Sequence, residues 1–246
     1  RKERAPGKKA RFWDIENASL GYGYNENLHR DFNVEYDRTK IWRGNLNYNF
    51  NASPFLWEPF KNVKAFQKSK WFALLKEAGV YLGPKSITIN NNLLRSYNER
   101  KMRNNLSSFE FDPVYIKNFT WARTYMLKYD ITKNLKFDFA ANNNSIFTEP
   151  DGQIDRKEDP ENYQFFKDSI GRQIGSGGTT MGYNHSYNIT YNIPFNKIPA
   201  LDWITSNIRY SAGYDWQRAP LGQAEFGNII QNNRNLNLTA QMNSHL

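Results

Sequence analysis

Long runs in which apolar and polar residues alternate are the dominant pattern of this chain. From Thr179 to Ile193 the odd positions are mostly aromatic or aliphatic, whereas every even position is Gly, Asn, Ser or Thr. A period of two residues predicts a β-strand with one apolar and one polar face. Segments 204–216 and 230–242 repeat the pattern, and Arg234 breaks the apolar face of the second. The chain is therefore predicted to be an antiparallel all-β protein.

Turn residues divide the rest of the chain into further strands. Thr132-Lys133-Asn134 separates an alternating run that begins at Trp121 from one that continues through Phe139, which predicts a hairpin. The segment 18–36 is either one very long strand or a hairpin that turns near Asn27. A turn at 37–40 is expected to lead into a strand over 42–50, and 86–97 is predicted as a weaker strand.

Strand length favours a membrane class. Ordinary strands have about 5–6 residues, whereas these runs reach about 11–17, and about 9–11 tilted residues cross a bilayer. The pattern predicts a segment of an antiparallel transmembrane β-barrel with long strands and short accessory helices. About eight strands are expected over 12–246, after a basic N-terminal extension over 1–11. A soluble β-sandwich is the alternative, disfavoured because sandwich strands are shorter and their outer faces carry more charge.

Tryptophans and two helices complete the predicted architecture. Four tryptophans lie near the ends of the alternating segments, where they suit the aromatic girdles at a membrane surface. They are Trp13, Trp121, Trp203 and Trp216. Ser69 and Gly79 fit the start and stop of a short helix within a helical excursion over 58–79. Its flanking lysines suit either a lipid headgroup surface or packing on a barrel rim. A second helix is predicted over 160–174.

Composition removes several function classes. Mean hydropathy is −0.80 and no long apolar run exists, so a transmembrane helix is excluded. There is no Cys, and the net charge of +9 is spread along the chain, which favours a solvated surface over a nucleic-acid partner. The first residue is Arg1 and no signal peptide is present, so the chain is expected to be a piece of a longer protein.

No arrangement of side chains predicts catalysis. The three histidines are scattered, and Gly175–Gly178 lacks the Lys-Ser/Thr of a phosphate loop. The acidic segment 151–159 lacks EF-hand spacing, so a solvated loop is favoured over a Ca²⁺ site. We therefore predict no enzyme activity, no metal and no cofactor.

The alternation assigns side chains to two environments. Polar positions are predicted to face a barrel lumen: Asn184, Asn188, Asn207, Arg209, Asn233, Asn235 and Asn237. Apolar positions are predicted to face lipid or a partner protein: Tyr183, Tyr187, Ile189, Tyr191, Tyr210, Tyr214, Trp121 and Tyr125.

Several short motifs resemble, in their order, the SprA/Sov family, the outer-membrane translocon of the Bacteroidetes type IX secretion system. The resemblance runs over nearly the whole chain, and the motifs that carry it are Trp13–Asn17, Tyr22–Glu26, Leu46–Phe50, Glu58–Phe60, Lys70-Trp71, Tyr129–Lys136 and Asn196–Trp203. The resemblance implies one very large barrel, of which this chain supplies a wall segment, that passes folded cargo proteins across the outer membrane. The implied partners are outer-membrane lipid, a PorV-type barrel protein, a plug protein and secreted cargo. Asp168-Ser169-Ile170 resembles the Bacteroidetes O-glycosylation acceptor, with Ser169 as the acceptor.

Two alternatives to the translocon segment stay open. One is a smaller outer-membrane receptor, uptake barrel or surface adhesin, and the other is a soluble carbohydrate-binding β-protein. Short turns of outer-membrane barrels lie on the periplasmic side. Strand parity then predicts that 132–134, 194–201 and 52–84 are periplasmic, and that 98–118, 147–178 and 217–228 are outside.

Overall fold

The computed structural model describes residues 11–61, 63, 78–106, 108–153, 156–157, 160–198 and 200–242. Within these ranges the chain forms ten β-strands and one α-helix. The strands are β1 (Ala18–His29), β2 (Val34–Asn51), β3 (Phe55–Trp57), β4 (Val80–Leu82), β5 (Ser86–Met102), β6 (Val114–Asp130), β7 (Leu135–Phe147), β8 (Thr179–Ile193), β9 (Ile204–Gln217) and β10 (Ile229–Met242). The helix α1 is Pro160–Ser176. The prediction of an antiparallel all-β protein is confirmed.

Eight of the strands form one sheet in the order β1-β2-β5-β6-β7-β8-β9-β10, and every neighbouring pair is antiparallel. These strands contain 12 to 18 residues, which agrees with the predicted lengths. The short strands β3 and β4 form a separate hairpin inserted between β2 and β5. Because β1 and β10 lie at opposite edges, the sheet formed by the described residues is open.

The first hairpin differs from its prediction in where it turns. The chain turns at 30–33, where Asp31 Oδ1 accepts backbone N–H groups from Asn33 and Val34, both at 2.7 Å. The turn predicted at 37–40 is wrong, because these residues lie inside β2 and pair with β5. Their charged side chains have partners across the strands, as in Asn98 Nδ2 donating to Asp37 Oδ1 at 2.6 Å.

The strand predicted as weak over 86–97 is one of the longest. It forms β5, with 17 residues, and pairs with β2 on one side and β6 on the other. Its charged C-terminal part weakened the sequence signal. Arg95 and Lys101 in that part make ion pairs with carboxylates from outside the strand or from a neighbouring strand. Tertiary partners, rather than local pattern, keep this segment extended.

Antiparallel pairing places the connections alternately at two ends of the sheet. At one end, here called the turn end, lie 131–134 and the described residues of the connections 194–203 and 52–85. At the other, the loop end, lie 30–33, 218–228 and the described residues of the connections 103–113 and 148–178. Contacts confirm the prediction that the turn 132–134 and the segment 52–84 lie at the same end of the sheet. Lys133 Nζ lies 2.6 Å from Glu58 Oε1, and Tyr81 N donates to Ile131 O at 3.0 Å.

The helix predicted over 160–174 is confirmed as α1 and ends in a Schellman motif. Gly178 N donates to Gln173 O at 2.8 Å, and Gly177 N donates to Ile174 O at 3.1 Å. Both glycines have positive φ, +85° and +74° for Gly177 and Gly178. The helix predicted at Ser69–Gly79 lies mostly outside the described residues, as does most of the basic extension over 1–11.

Little of this structure is core. The chain exposes 17908 Å², whereas a compact monomer of 28.9 kDa exposes about 11,000 Å². Six apolar side chains of the described residues are buried, among them Ala141 and Phe147 in the centre of the sheet. The main sheet is therefore a single extended layer with two accessible faces. Among the described residues, no helix has the length and hydropathy needed to cross a membrane.

Candidate functional site

The strand register assigns side chains to two faces of the main sheet. Directly opposed residues of antiparallel strands project from the same face, so the pairings assign every strand residue to one of two faces. One row of opposed residues contains Phe139, Tyr187 and Ala212, and the next contains Phe137, Ile189 and Tyr210. The face that bears these rows is called the apolar face, and the opposite one the polar face.

The predicted grouping of side chains agrees with the register. All eight residues predicted to face lipid or a partner lie on the apolar face: Tyr183, Tyr187, Ile189, Tyr191, Tyr210, Tyr214, Trp121 and Tyr125. All seven residues predicted to face a lumen lie on the polar face: Asn184, Asn188, Asn207, Arg209, Asn233, Asn235 and Asn237. What each face contacts stays a prediction.

Aromatic rings pack along the apolar face from strand to strand. The Tyr187 and Tyr210 rings are 6.0 Å apart, and Phe119 and Phe147 are 4.3 Å apart. Towards the edges the face is open to its surroundings, with Leu20 82% and Leu236 66% exposed. Exposed apolar patches are typical of surfaces that contact lipid or another protein.

Tryptophans lie at the loop end of the apolar face and in the connections at the turn end. Trp42, Trp121 and Trp216 stand in its first apolar rows at the loop end, as the pairings of β2, β6 and β9 place them. Trp13 precedes β1 and Trp203 precedes β9, both at the turn end. Indole rings at two levels are the arrangement expected of interfacial girdles.

The polar face consists mainly of Asn, Ser and Thr side chains and also bears charged residues such as Arg43, Lys128 and Asp138. Thr124 Oγ1 donates to Asn142 Oδ1 at 2.9 Å, and Asn142 Nδ2 donates to Asn184 Oδ1 at 3.0 Å, which links three strands. Nearer the turn end, Asn207 Nδ2 donates to Asn192 Oδ1 at 2.6 Å. Such a face is wetted easily and offers few apolar contacts.

A cluster formed by Arg123 and its hydrogen-bond partners interrupts the apolar face, and sequence reasoning missed it. Arg123 Nη2 donates to Asn143 Oδ1 at 3.1 Å, Ser145 Oγ at 2.7 Å and Gly177 O at 3.1 Å. Its guanidinium lies 4.4 Å from the Trp121 ring centre. The only sign of it in the sequence was that Arg123, a charged residue, occupies an apolar-face position between Trp121 and Tyr125. The cluster ties the end of α1 to the sheet.

An ion pair lies in the apolar row nearest the loop end, where Arg95 is opposite Trp42 and Phe119. Arg95 makes two hydrogen bonds to Glu149, at 2.6 and 2.9 Å, and the Glu149 side chain is 2% exposed. The Arg95 guanidinium also lies 5.1 Å from Trp42 and 5.4 Å from Phe166 of α1. These contacts hold Glu149 and α1 against the loop end of the apolar face.

Carboxylates in the connections are stabilised by nearby lysines. At the loop end, Lys101 donates to Glu110 at 2.8 Å, and this hydrogen bond lowers the pKa of Glu110. At the turn end, Lys133 and then Lys61 lower the pKa of Glu58 in the same way. Both connections are therefore attached to the sheet by ion pairs that persist at neutral pH.

The remaining candidate groups are not assembled into a reaction centre. His29 bonds Asp31 at 3.1 Å in the first turn, whereas His185 lies on the apolar face, 5.3 Å from the ring of Tyr214. In the part of the chain that the structure describes, no group of three His, Asp or Glu could hold a metal. Ser169 lies half-buried inside α1, and its glycosylation stays a prediction. No protein-family model matches the sequence, and no curated protein is detectably similar to it.

Proposed function

We propose that this sheet is a section of the wall of an outer-membrane β-barrel. The observation that carries the proposal is the single layer of eight long strands with one apolar and one Asn-rich face. A soluble sandwich covers its apolar face with a second sheet. In this sheet that face stays accessible, with Trp residues at its loop end and in the connections at the turn end, which fits contact with hydrocarbon and two interfaces.

The dimensions of the apolar face fit a bilayer. On β8, the apolar positions run from Tyr183 to Ile193 without a charged residue. At a tilt of about 45° each residue advances about 2.4 Å along the barrel axis. The run then spans about 24 Å, close to the roughly 25 Å lipid-facing band of outer-membrane barrels. Strands β2, β5 and β6 continue beyond it into the charged rows of the loop end.

We further propose that the complete wall encloses a protein-conducting pore of the SprA/Sov type. This step rests on the resemblance of the sequence motifs, and the polar face supports it. A pore wall for folded cargo must hydrate readily and must not retain the cargo. Neutral Asn, Ser and Thr groups that satisfy one another across strands meet that need. The two unpaired edges of the described sheet, β1 and β10, suit continuation into further strands of a larger wall.

Spin labelling tests the wall assignment directly. The chain has no cysteine, so single cysteines at successive positions of β8 from 183 to 191 can each carry a nitroxide. In reconstituted bilayers, labels at Tyr183, Tyr187 and Ile189 should collide with oxygen, and labels at Asn184 and Asn188 with a water-soluble nickel chelate. If the apolar positions are shielded from both reagents, a second protein layer covers them and the wall assignment is wrong.

Site-specific photocrosslinking tests the pore. A photoreactive residue at Asn188 or Asn235 should capture secreted cargo in cells, whereas one at Tyr191 on the apolar face should not. Crosslinks to cargo from Tyr191 alone, or equal yields from both faces, would contradict cargo passage along the polar face. A receptor barrel would instead crosslink a small ligand or no protein.

A further inference from the structure

Three cations stand on the apolar-face side of the sheet, directly beyond its aromatic border at the loop end. Lys40 of β2 and Lys117 of β6 both lie opposite Tyr97 of β5, one on each side, in a single row. Arg38 lies two residues from Lys40 on the same strand face, opposite Glu99 in the adjoining row. We call Arg38, Lys40 and Lys117 the cationic row.

The acidic groups near the cationic row are mostly occupied by other donors. Glu26 accepts the hydroxyl of Tyr24 at 2.6 Å, and Glu99 accepts that of Tyr36 at 3.0 Å. Glu149 is held by Arg95, while Glu35 and Glu110 share Lys101. Glu26 lies 3.7 Å from Arg38 Nε, which is buried without a hydrogen-bond partner.

The two lysines of the cationic row retain capacity for an anion. Within the described residues, neither Lys40 nor Lys117 forms an ion pair with a carboxylate. Lys117 Nζ donates to the carbonyl of Pro150, a neutral acceptor, and Glu149 and Asp151 lie near it without forming an ion pair with it. Two lysines in one row and one partly satisfied arginine in the adjoining row suit the charge of a phosphate.

An exposed apolar patch continues from the cationic row towards the turn end. Trp42 and Tyr24 come first, with ring centres 5.5 Å apart. Leu46, Tyr22 and Leu20 follow, and they are 48%, 75% and 82% exposed. The cations and the patch belong to the same face of the same two strands, β1 and β2, with Lys117 added from β6. A ligand that spans both must be an amphiphile with a phosphate at one end and hydrocarbon at the other.

We propose that this surface binds a phosphorylated glycolipid of the outer leaflet, of the lipid A class. Its phosphate lies on Arg38, Lys40 and Lys117, and its acyl chains lie along Leu20, Tyr22 and Leu46. The proposal rests on the proposed wall function, because only there does the apolar face meet lipid. Charge complementarity selects this occupant over a neutral phospholipid, and the continuous apolar patch selects it over a soluble phosphate.

The test measures binding of bisphosphorylated lipid A to the detergent-solubilised chain, with the dephosphorylated lipid as a second probe. In the test variant Arg38, Lys40 and Lys117 all become Gln. In the matched control Arg43, Lys128 and Lys136 of the polar face become Gln, with the same loss of charge. We expect the test variant to bind lipid A at least about tenfold more weakly and the control to bind it as the unaltered chain does. The single variant Lys40→Gln, expected to lose about threefold, replaces the triple variant if that variant does not fold.

Three results would overturn the glycolipid site. They are equal binding by the test variant and the unaltered chain, equal binding of both lipids, or complete displacement of lipid A by excess inorganic phosphate. The last result would show a site for soluble phosphate. The spin-label experiment separates the two proposals: lipid exposure of Tyr187 without lipid A binding removes the glycolipid site and leaves the wall.

Discussion

The substitution Tyr187→Arg separates a membrane wall from a water-soluble sheet. Tyr187 lies in the middle of the apolar run of β8, which is centred near residue 188 if it extends from Tyr183 to Ile193. At about 2.4 Å of axial rise per residue, its side chain stands within about 3 Å of the centre of the hydrocarbon layer. The neighbouring Asn188 occupies nearly the same depth on the polar face.

The expected cost follows from the surroundings of each side chain. Arginine on the lipid face at mid-depth costs about 2–4 kcal/mol, and loss of the ring contact with Tyr210 adds about 0.5–1.5 kcal/mol. Tyr187→Arg should therefore lower the free energy of unfolding by about 3–5 kcal/mol. Asn188→Arg places a cation opposite Asp138 of β7 and should change it by less than about 1 kcal/mol.

Urea titration of the chain refolded into lipid vesicles measures both values, with heat-modifiable electrophoretic mobility as the readout of the folded form. A water-exposed sheet would lose only about 1 kcal/mol on Tyr187→Arg. Equal destabilisation by the two variants, or a larger effect of Asn188→Arg, would refute the assignment of faces to lipid and lumen.

Three further predictions concern the connections. Gly178→Ala should lower the free energy of unfolding by about 1–3 kcal/mol, because its φ is positive and a Cβ would lie 2.9 Å from a backbone carbonyl. Gly171→Ala, in open space inside α1, should raise the free energy of unfolding by about 0.5–1 kcal/mol. The opposite order of the two variants in urea melts would contradict the Schellman geometry. The pKa of Asp31 is lowered chiefly by the amide N–H three residues later and then by His29, so the first turn is stabilised above the usual Asp range and loses this stabilisation as the pH falls through the lowered pKa. Protection of the turn amides against hydrogen exchange, measured relative to their intrinsic rate at each pH, should fall only in acid. Asp31→Ala should lack that protection at neutral pH, whereas protection that does not change with pH would contradict this role. A membrane-impermeant thiol reagent applied to cells should label a cysteine at Gln153 and not one at Lys61; the reverse result would show that the loop end is periplasmic.

Alternation predicted the faces of this sheet well because the period of two is dictated by the backbone itself. The residues predicted for the apolar face and those predicted for the polar face lie on opposite faces in the strand register. Alternation alone does not indicate which strands are neighbours. Short turns such as 131–134 do indicate it, because they join strands that must be adjacent.

Sequence reasoning failed where charged residues lie in strands. Asp37 and Lys40 were predicted to form a turn because their types are common in turns, yet both lie inside β2. Arg95 and Glu149 are 54 residues apart, and their ion pair depends on how the segment 148–178 folds back over the sheet. No local pattern reports such a contact. Arg123 was overlooked for the same reason, because its acceptors come from β7 and from the end of α1.

The strand order has a consequence for how this sheet is built. Each strand of the main sheet pairs only with the strands before and after it, and the β3–β4 hairpin is an insertion that leaves this order intact. Loop closure is therefore short for most pairings, and no strand has to await a distant partner. The growing edge always presents a complete row of backbone donors and acceptors to the next segment of chain. Assembly can thus proceed one hairpin at a time, with each finished strand as the template for its successor.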